Sequence, residues 1–246
     1  MALEVHHFPE TRWTMVLALR GGGNEATASR ALADLCRVYW RPLYTHARKK
    51  GNSPEDAEDL TQSFIMHVLK RSVLEQADRM VGKLRTFLLA SFDHHIHAVH
   101  RGNKAQHRGG RLEIVSLDQL REAERELSVP DKRQRTAEQY FEQQCALALV
   151  DAAMNLLAEE QEAAGHREEF AVLRHEMDPR SSPDERGQAA LAAQLNMSHE
   201  QLRQRLSILR VRFRKLVRAL IRETLHKPTE KKVDEELMFL RSALTD

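Results

Sequence analysis

Along this chain apolar residues recur at steps of three and four rather than at alternate positions, and the elements they predict are helices. Leu32, Leu35, Cys36, Tyr39, Trp40, Leu43, Tyr44 and Ala47 keep one face apolar until Gly51 closes it. Ser53-Pro54-Glu55-Asp56 then reads as a helix start, with Ser53 as cap, Pro54 at the first helical position and two acids complementing the dipole. On that helix, which runs to about Lys70, Ala57, Leu60, Phe64, Ile65 and Val68 fall on one arc; Glu55, Asp56, Asp59, Gln62 and Ser63 fall opposite. Leu84, Phe87, Leu88, Ser91, His95 and Val99 outline a third helix. Residues 109–136 are polar, open with Gly109-Gly110 and contain Pro130, so they read as a linker. Beyond it, Ala146, Leu149, Val150, Ala153 and Leu157 form one stripe and Phe170, Leu173 and Met177 another; Val233, Leu237, Leu240 and Leu244 form a last amphipathic segment, expected to fold back onto a domain or a partner.

The stretch from Leu191 to Arg210 reads as a helix-turn-helix. Ala192 is small enough for two helices to approach, Asn196 suits the left-handed conformation that ends the first, and Ser198 can cap the second. Leu191, Leu195, Met197, Leu202 and Leu206 would close the core beneath the turn. The expected fold is therefore all-α: two helical domains joined by a polar linker, over 1–110, 111–136 and 137–226, with an extension over 227–246.

Charge sharpens this picture. The net charge of +2 hides an uneven distribution: Asp and Glu gather in 55–59 and 113–126, Lys and Arg in 83–111 and 203–218. Between His199 and Arg218 the second helix of the pair carries Arg203, Arg205, Arg210, Arg212, Arg214, Lys215 and Arg218 against the single acid Glu200. Such a helix repels itself unless an anion faces it, and behind a tight turn it suits a DNA groove. Asp93 is the only acid from 81 to 111.

Other chemistry is thin. Cys36 and Cys145 lack metal-ligand spacing and read as buried, reduced thiols of a cytoplasmic protein. His94, His97 and His100 recur at three-residue steps, but that spacing drifts around a helix and no carboxylate or Cys completes a set, so no metal is expected. Beside Lys and Arg they suit bases and phosphates instead. No Gly-rich phosphate loop or nucleophile elbow points to an enzyme or a cofactor. No stretch approaches the length needed to span a bilayer, so no membrane partner is expected.

Taken in order, an acid-bearing helix, a basic helix, a polar linker and an Arg-rich helix-turn-helix resemble a bacterial RNA polymerase sigma factor of the extracytoplasmic-function type. Ser53-Pro54-Glu55-Asp56-Ala57-Glu58-Asp59-Leu60-Thr61-Gln62 resembles that family's docking motif for the polymerase clamp helices. Leu84-Arg85-Thr86-Phe87-Leu88-Leu89-Ala90-Ser91 resembles the start of the part that melts and reads the minus-ten element, and 188–218 the part that reads the minus-thirty-five element. Phe8 to Trp13 and the run Cys36 to Tyr44 resemble a subgroup with C-terminal extensions. The resemblance implies core polymerase contacts at Asp56, Glu58, Asp59 and Gln62, minus-ten contacts at Arg85, His94, His97, Arg101, Lys104 and Arg108, and minus-thirty-five contacts at His199, Gln201, Arg203, Gln204, Arg205, Ser207 and Arg210.

Its expected partners are core RNA polymerase and promoter DNA, with an anti-sigma factor or other regulatory protein as a further candidate, in a cytoplasmic, nucleoid-associated setting. The chain departs from the family at Asp93 and His94, where a basic residue and Asn are usual, and at Ile208, where Arg is common. An acid facing DNA would be unfavourable, which leaves a second reading open: a helix-turn-helix regulator or adaptor whose acidic helix binds another partner.

Overall fold

The computed structural model describes residues 38–68, 83–102, 135–178, 185–225 and 227–245. Among these the regular elements are eight helices: α1 (38–49), α2 (Pro54–Val68), α3 (Leu84–Gly102), α4 (Ala137–Ala163), α5 (Arg167–Met177), α6 (Glu185–Gln194), α7 (His199–Glu223) and α8 (Glu230–Thr245). Among the described residues there is no strand, and none of these helices is long and apolar enough to cross a membrane. The described residues are thus all-α, as the periodicity predicts.

Hydroxyl caps start several of these helices. Asp56 N–H donates to Ser53 Oγ at 3.1 Å, Gln139 N–H to Thr136 Oγ1 at 3.2 Å and Lys232 N–H to Thr229 Oγ1 at 3.3 Å. At the other end of α1, Gly51 takes φ 93° and lets Asn52 N–H reach back to the Ala47 carbonyl. This satisfies a terminal carbonyl that the helix itself cannot.

Two compact units result: one from residues up to Ala148 together with Ile221–Asp246, the other from Leu149–Leu220. The first is built on the faces expected from the sequence. Tyr39, Trp40, Leu43, Tyr44 and Ala47 of α1 are buried with Ala57, Leu60, Phe64, Ile65 and Val68 of α2 and Leu84, Phe87, Leu88, Phe92 and Ile96 of α3. Phe64 and Phe92 meet at 4.9 Å between ring centroids.

The grouping differs from the expected boundaries, which put 137–226 in a second domain. Phe141 and Cys145 of α4 complete its core, Phe141 with its ring edge-on to buried His46 at 5.9 Å. The apolar stripe of α4 therefore serves the first unit with its opening turns and the second with Val150, Ala153, Met154 and Leu157.

The C-terminal segment joins the first unit as well. Leu84 N–H donates to the Thr224 carbonyl at 3.1 Å, and α8 buries Val233 and Leu240. Its Glu236, 2% exposed, receives Arg85 in a two-pronged pair, Nε at 2.8 Å and Nη2 at 3.2 Å, and Lys83 Nζ at 2.6 Å. Arg85 Nη1 also reaches Glu142 of α4 at 3.4 Å, and its guanidinium lies 4.1 Å from the centre of the Phe239 ring. Burial pushes the Glu236 carboxyl up, but hydrogen bonds and charge from Arg85, then Lys83, outweigh it and hold the pKa below its ordinary value.

Breaking such a buried pair from one side strands a charge. We expect Glu236→Ala to cost about 3–5 kcal/mol in urea unfolding, and Arg85→Met combined with Glu236→Leu to recover much of that loss. Because the folded-state pKa is depressed, the pair stabilises fully at neutral pH. Its contribution fades as pH falls below the ordinary value of 4.5 and through the lowered one. A wild-type acid limb identical to that of the double variant would contradict this.

Candidate nucleic-acid interface

The turn between α6 and α7 is built as its residues suggest. Asn196 has φ 52°, and this left-handed step lets Met197 N–H reach the Ala192 carbonyl at 2.9 Å, closing α6. Ser198 and Gln201 then cap α7 reciprocally: Gln201 N–H donates to Ser198 Oγ at 3.1 Å, and Ser198 N–H donates to Gln201 Oε1 at 2.8 Å. Leu202, Leu206, Leu209 and Phe213 of α7 are buried, as are Ala192 of α6 and Phe170, Leu173 and Met177 of α5.

The cations of α7 divide into two sets. Arg205 is half-buried and paired with Glu169 of α5 and, at 2.8 Å, with Gln161 of α4. Arg205, expected on the DNA-facing side, is thus engaged by an acid and an amide within its own unit. Arg212, not among the expected contacts, pairs with Glu160 through Nε at 2.7 Å, and Arg210 donates to the Glu176 carbonyl at 3.2 Å while remaining exposed.

The other set faces solvent. His199, Arg203, Gln204, Ser207 and Lys215 are exposed and have no partner among the described residues, and Arg214, also exposed, donates only to the Arg210 carbonyl one turn back. At about 100° per residue these side chains share one side of α7. Gln201 is exposed too, but its carbonyl oxygen is committed to the cap.

In the first unit, α3 exposes His94, His97, His100 and Arg101, Arg101 donating to the His97 carbonyl at 3.2 Å and His100 bonding Asn52 Oδ1 at 3.0 Å. Arg85, expected with them, is corrected: it lies 7% exposed beneath α8 in the pair with Glu236. Lys104 and Arg108 lie outside the described residues. Asp93 does not stand as a free acid. Its Oδ1 lies 2.9 Å from His46 Nε2 and 3.6 Å from Lys50 Nζ.

On α2, Glu55, Asp56 and Asp59 are exposed, with Asp56 also accepting from Ser53 Oγ at 2.9 Å. Gln62, expected on the same polar face, is only 9% exposed and its Nε2 donates to Glu58 Oε1 at 2.9 Å, so the amide is turned along the helix and covered.

His46, Asp93 and Glu138 place three ligand-type atoms within 4.8 Å of one another. The chain supplies its own cation there, since Lys50 Nζ stands 2.9 Å from Glu138 and 3.6 Å from Asp93. The hydrogen bond to Glu138 raises the Lys50 pKa and lowers that of Glu138. His46 Nδ1 faces the Ala137 carbonyl at 3.1 Å and Nε2 faces Asp93, so both ring nitrogens meet oxygen acceptors. Cys145 is buried with its thiol pKa pushed up by desolvation, which makes it unreactive; Cys36 lies outside the described residues.

Compared with protein-family models, curated proteins and solved structures, the chain matches none.

Two outcomes test this geometry. Ser198→Ala should cost about 1 kcal/mol in thermal or denaturant unfolding through the lost cap, while Asn196→Gly, already suited to positive φ, should leave stability within a few tenths of a kcal/mol. The second concerns His95, which is partly buried against α2, bonded to Ser63 at 2.9 Å and held at about 4 by desolvation and then by the charge of His67. A histidine depressed in the folded state is opposed when the unfolded chain takes up its proton, so stability should decline as pH drops from 6.5 toward 4. His95→Gln, which keeps a hydrogen-bonding group there, should flatten that limb of a stability–pH curve.

Proposed function

We propose that this chain is a sigma factor: it docks on core RNA polymerase, directs it to a set of promoters and assists strand opening, with no chemistry of its own. The observation that carries the reading is the α7 face. A capped helix follows a tight turn and presents Arg203, Gln204, Ser207, Arg214 and Lys215 outward, where a duplex can meet polar groups for base edges and cations for phosphates. In this reading the turn and α7 form the helix-turn-helix that reads the minus-thirty-five element.

The remaining roles follow from the charge of each surface. His94, His97 and Arg101 on α3, with Lys104 and Arg108 after them in sequence, offer imidazoles for stacking and cations for the backbone of a melted minus-ten strand. The engagement of Asp93 by His46 and Lys50 softens the objection that an acid would repel DNA at this helix. Glu55, Asp56 and Asp59 are the acids of α2 left open to basic residues of the polymerase. Sequence resemblance to the family, in the order of these elements, supports the same assignment.

The test is co-elution of the purified chain with bacterial core RNA polymerase on a sizing column, followed by transcription from a promoter library. Glu55→Arg with Asp59→Arg, which spares the Ser53–Asp56 cap, should abolish co-elution without loss of helicity. Duplex binding by a chain that never joins polymerase would favour the adaptor reading. Arg203→Ala should relax preference at one promoter position by about 1–3 kcal/mol; a uniform loss over all sequences would make Arg203 a phosphate contact.

A further inference from the structure

Two apolar side chains stand among the polar groups of the α7 face. Ile208 is 54% exposed and Val211 45% exposed, while the helix's other large apolar residues from Leu202 to Leu220 are buried. They are three residues apart, so they adjoin on one side of the helix at about 5–6 Å. At about 100° per residue, Val211 falls near the middle of the arc that runs from Arg203 and Arg214 to Lys215, and Ile208 falls at its edge beyond Lys215. The face thus sets an apolar pair beside the cations Arg203, Arg214 and Lys215, with Glu200 its single acid. A hydrophobic protein partner would not call for the flanking Arg and Lys, and a purely phosphate-binding face would not call for Ile and Val.

One polyanion offers a matching apolar feature. In the major groove thymine alone carries a methyl group, which packs against apolar side chains, while neighbouring phosphates meet cations. We propose that Ile208 and Val211 contact thymine methyl groups, so that the duplex this chain selects carries thymine beneath Ile208 and its neighbour. This deepens the proposed function and rests on α7 entering a duplex. It also gives Ile208 a positive role: a side chain that cannot hydrogen-bond a base edge selects by the methyl group.

The test uses the full chain and a library of random-sequence B-form duplexes, from which bound sequences are selected and resynthesised with uracil replacing thymine at one position at a time. Uracil keeps every hydrogen-bonding group and lacks only the methyl. At one or two positions the exchange should weaken binding about fourfold, the worth of one methyl group taken out of water. Ile208→Ala should remove that sensitivity at one position and Val211→Ala at the other, with Arg203-dependent selection retained.

If sequences are selected yet uracil is neutral everywhere, the proposal fails and the duplex-reading role of α7 stands. Uracil sensitivity unchanged in Ile208→Ala and Val211→Ala also overturns it. Failure to select any duplex removes both. If the two variants bind duplex like wild type but elute later than wild type on a sizing column, the pair is a self-association surface and the proposal is wrong.

Discussion

A buried guanidinium–carboxylate pair decides how the first unit is closed. Taking Arg85 and Glu236 out of water separately would cost several kcal/mol each, so neither can be buried without the other. Here the pair is two-pronged, with Lys83 supplying a further cation and Glu142 a further acid. The partners lie 151 residues apart in sequence, so the first turn of α3 finishes its electrostatic environment only when α8 arrives. Backbone geometry repeats the demand, since Leu84 N–H takes the Thr224 carbonyl as its acceptor. The C-terminal segment is therefore a structural member of the unit rather than an appendage.

The same rule sorts the cations of α7. An isolated helix with so many like charges would be destabilised by their repulsion. Acids on α4 and α5 remove part of it: Glu160 takes Arg212 and Glu169 takes Arg205, leaving the opposite flank uncompensated. That remaining charge is a property of the fold rather than of composition. A helix whose cations were all paired would present a neutral surface, and one with none paired would pack poorly against α5.

Local physics made much of this readable from the residues. The spacing of Leu43, Tyr44 and Ala47, the Ser53 and Ser198 caps and the left-handed Asn196 each depend on neighbours within a few positions, and each stands as the pattern implies. The Thr136–Gln139 cap carries the same kind of signal, but its place at the end of a polar run hides it. The burial of polar side chains is less legible, and for Arg85 and Arg205 it is set from far away. Gln62 lies at the border of the apolar arc beside Ile65, and its pairing with Glu58 lets it be covered. Arg85 and Arg205 look like any surface cations until Glu236 and Glu169 are placed against them, and no periodicity within one helix reports a partner on another. The grouping of 137–148 with the first unit was hidden for the same reason: the α4 stripe is continuous and does not say which core each part enters.

Internal pairing also bears on how the proposed function could work. With Arg205 and Arg212 committed to acids, the α7 face keeps few cations for phosphates, and each phosphate contact contributes only modestly and is weakened by salt. A face of that size suits recognition more than tight holding. In the sigma reading a second attachment would strengthen that selective contact by raising the local concentration of the helix at its site, as linked binding modules do. The open acids of α2 are placed on the other compact unit and carry the opposite charge, so they suit a protein partner that could supply such an attachment. In the sigma reading, affinity resides with the polymerase and selectivity with α7. That division explains why a recognition helix could give up arginines to the stability of its own fold.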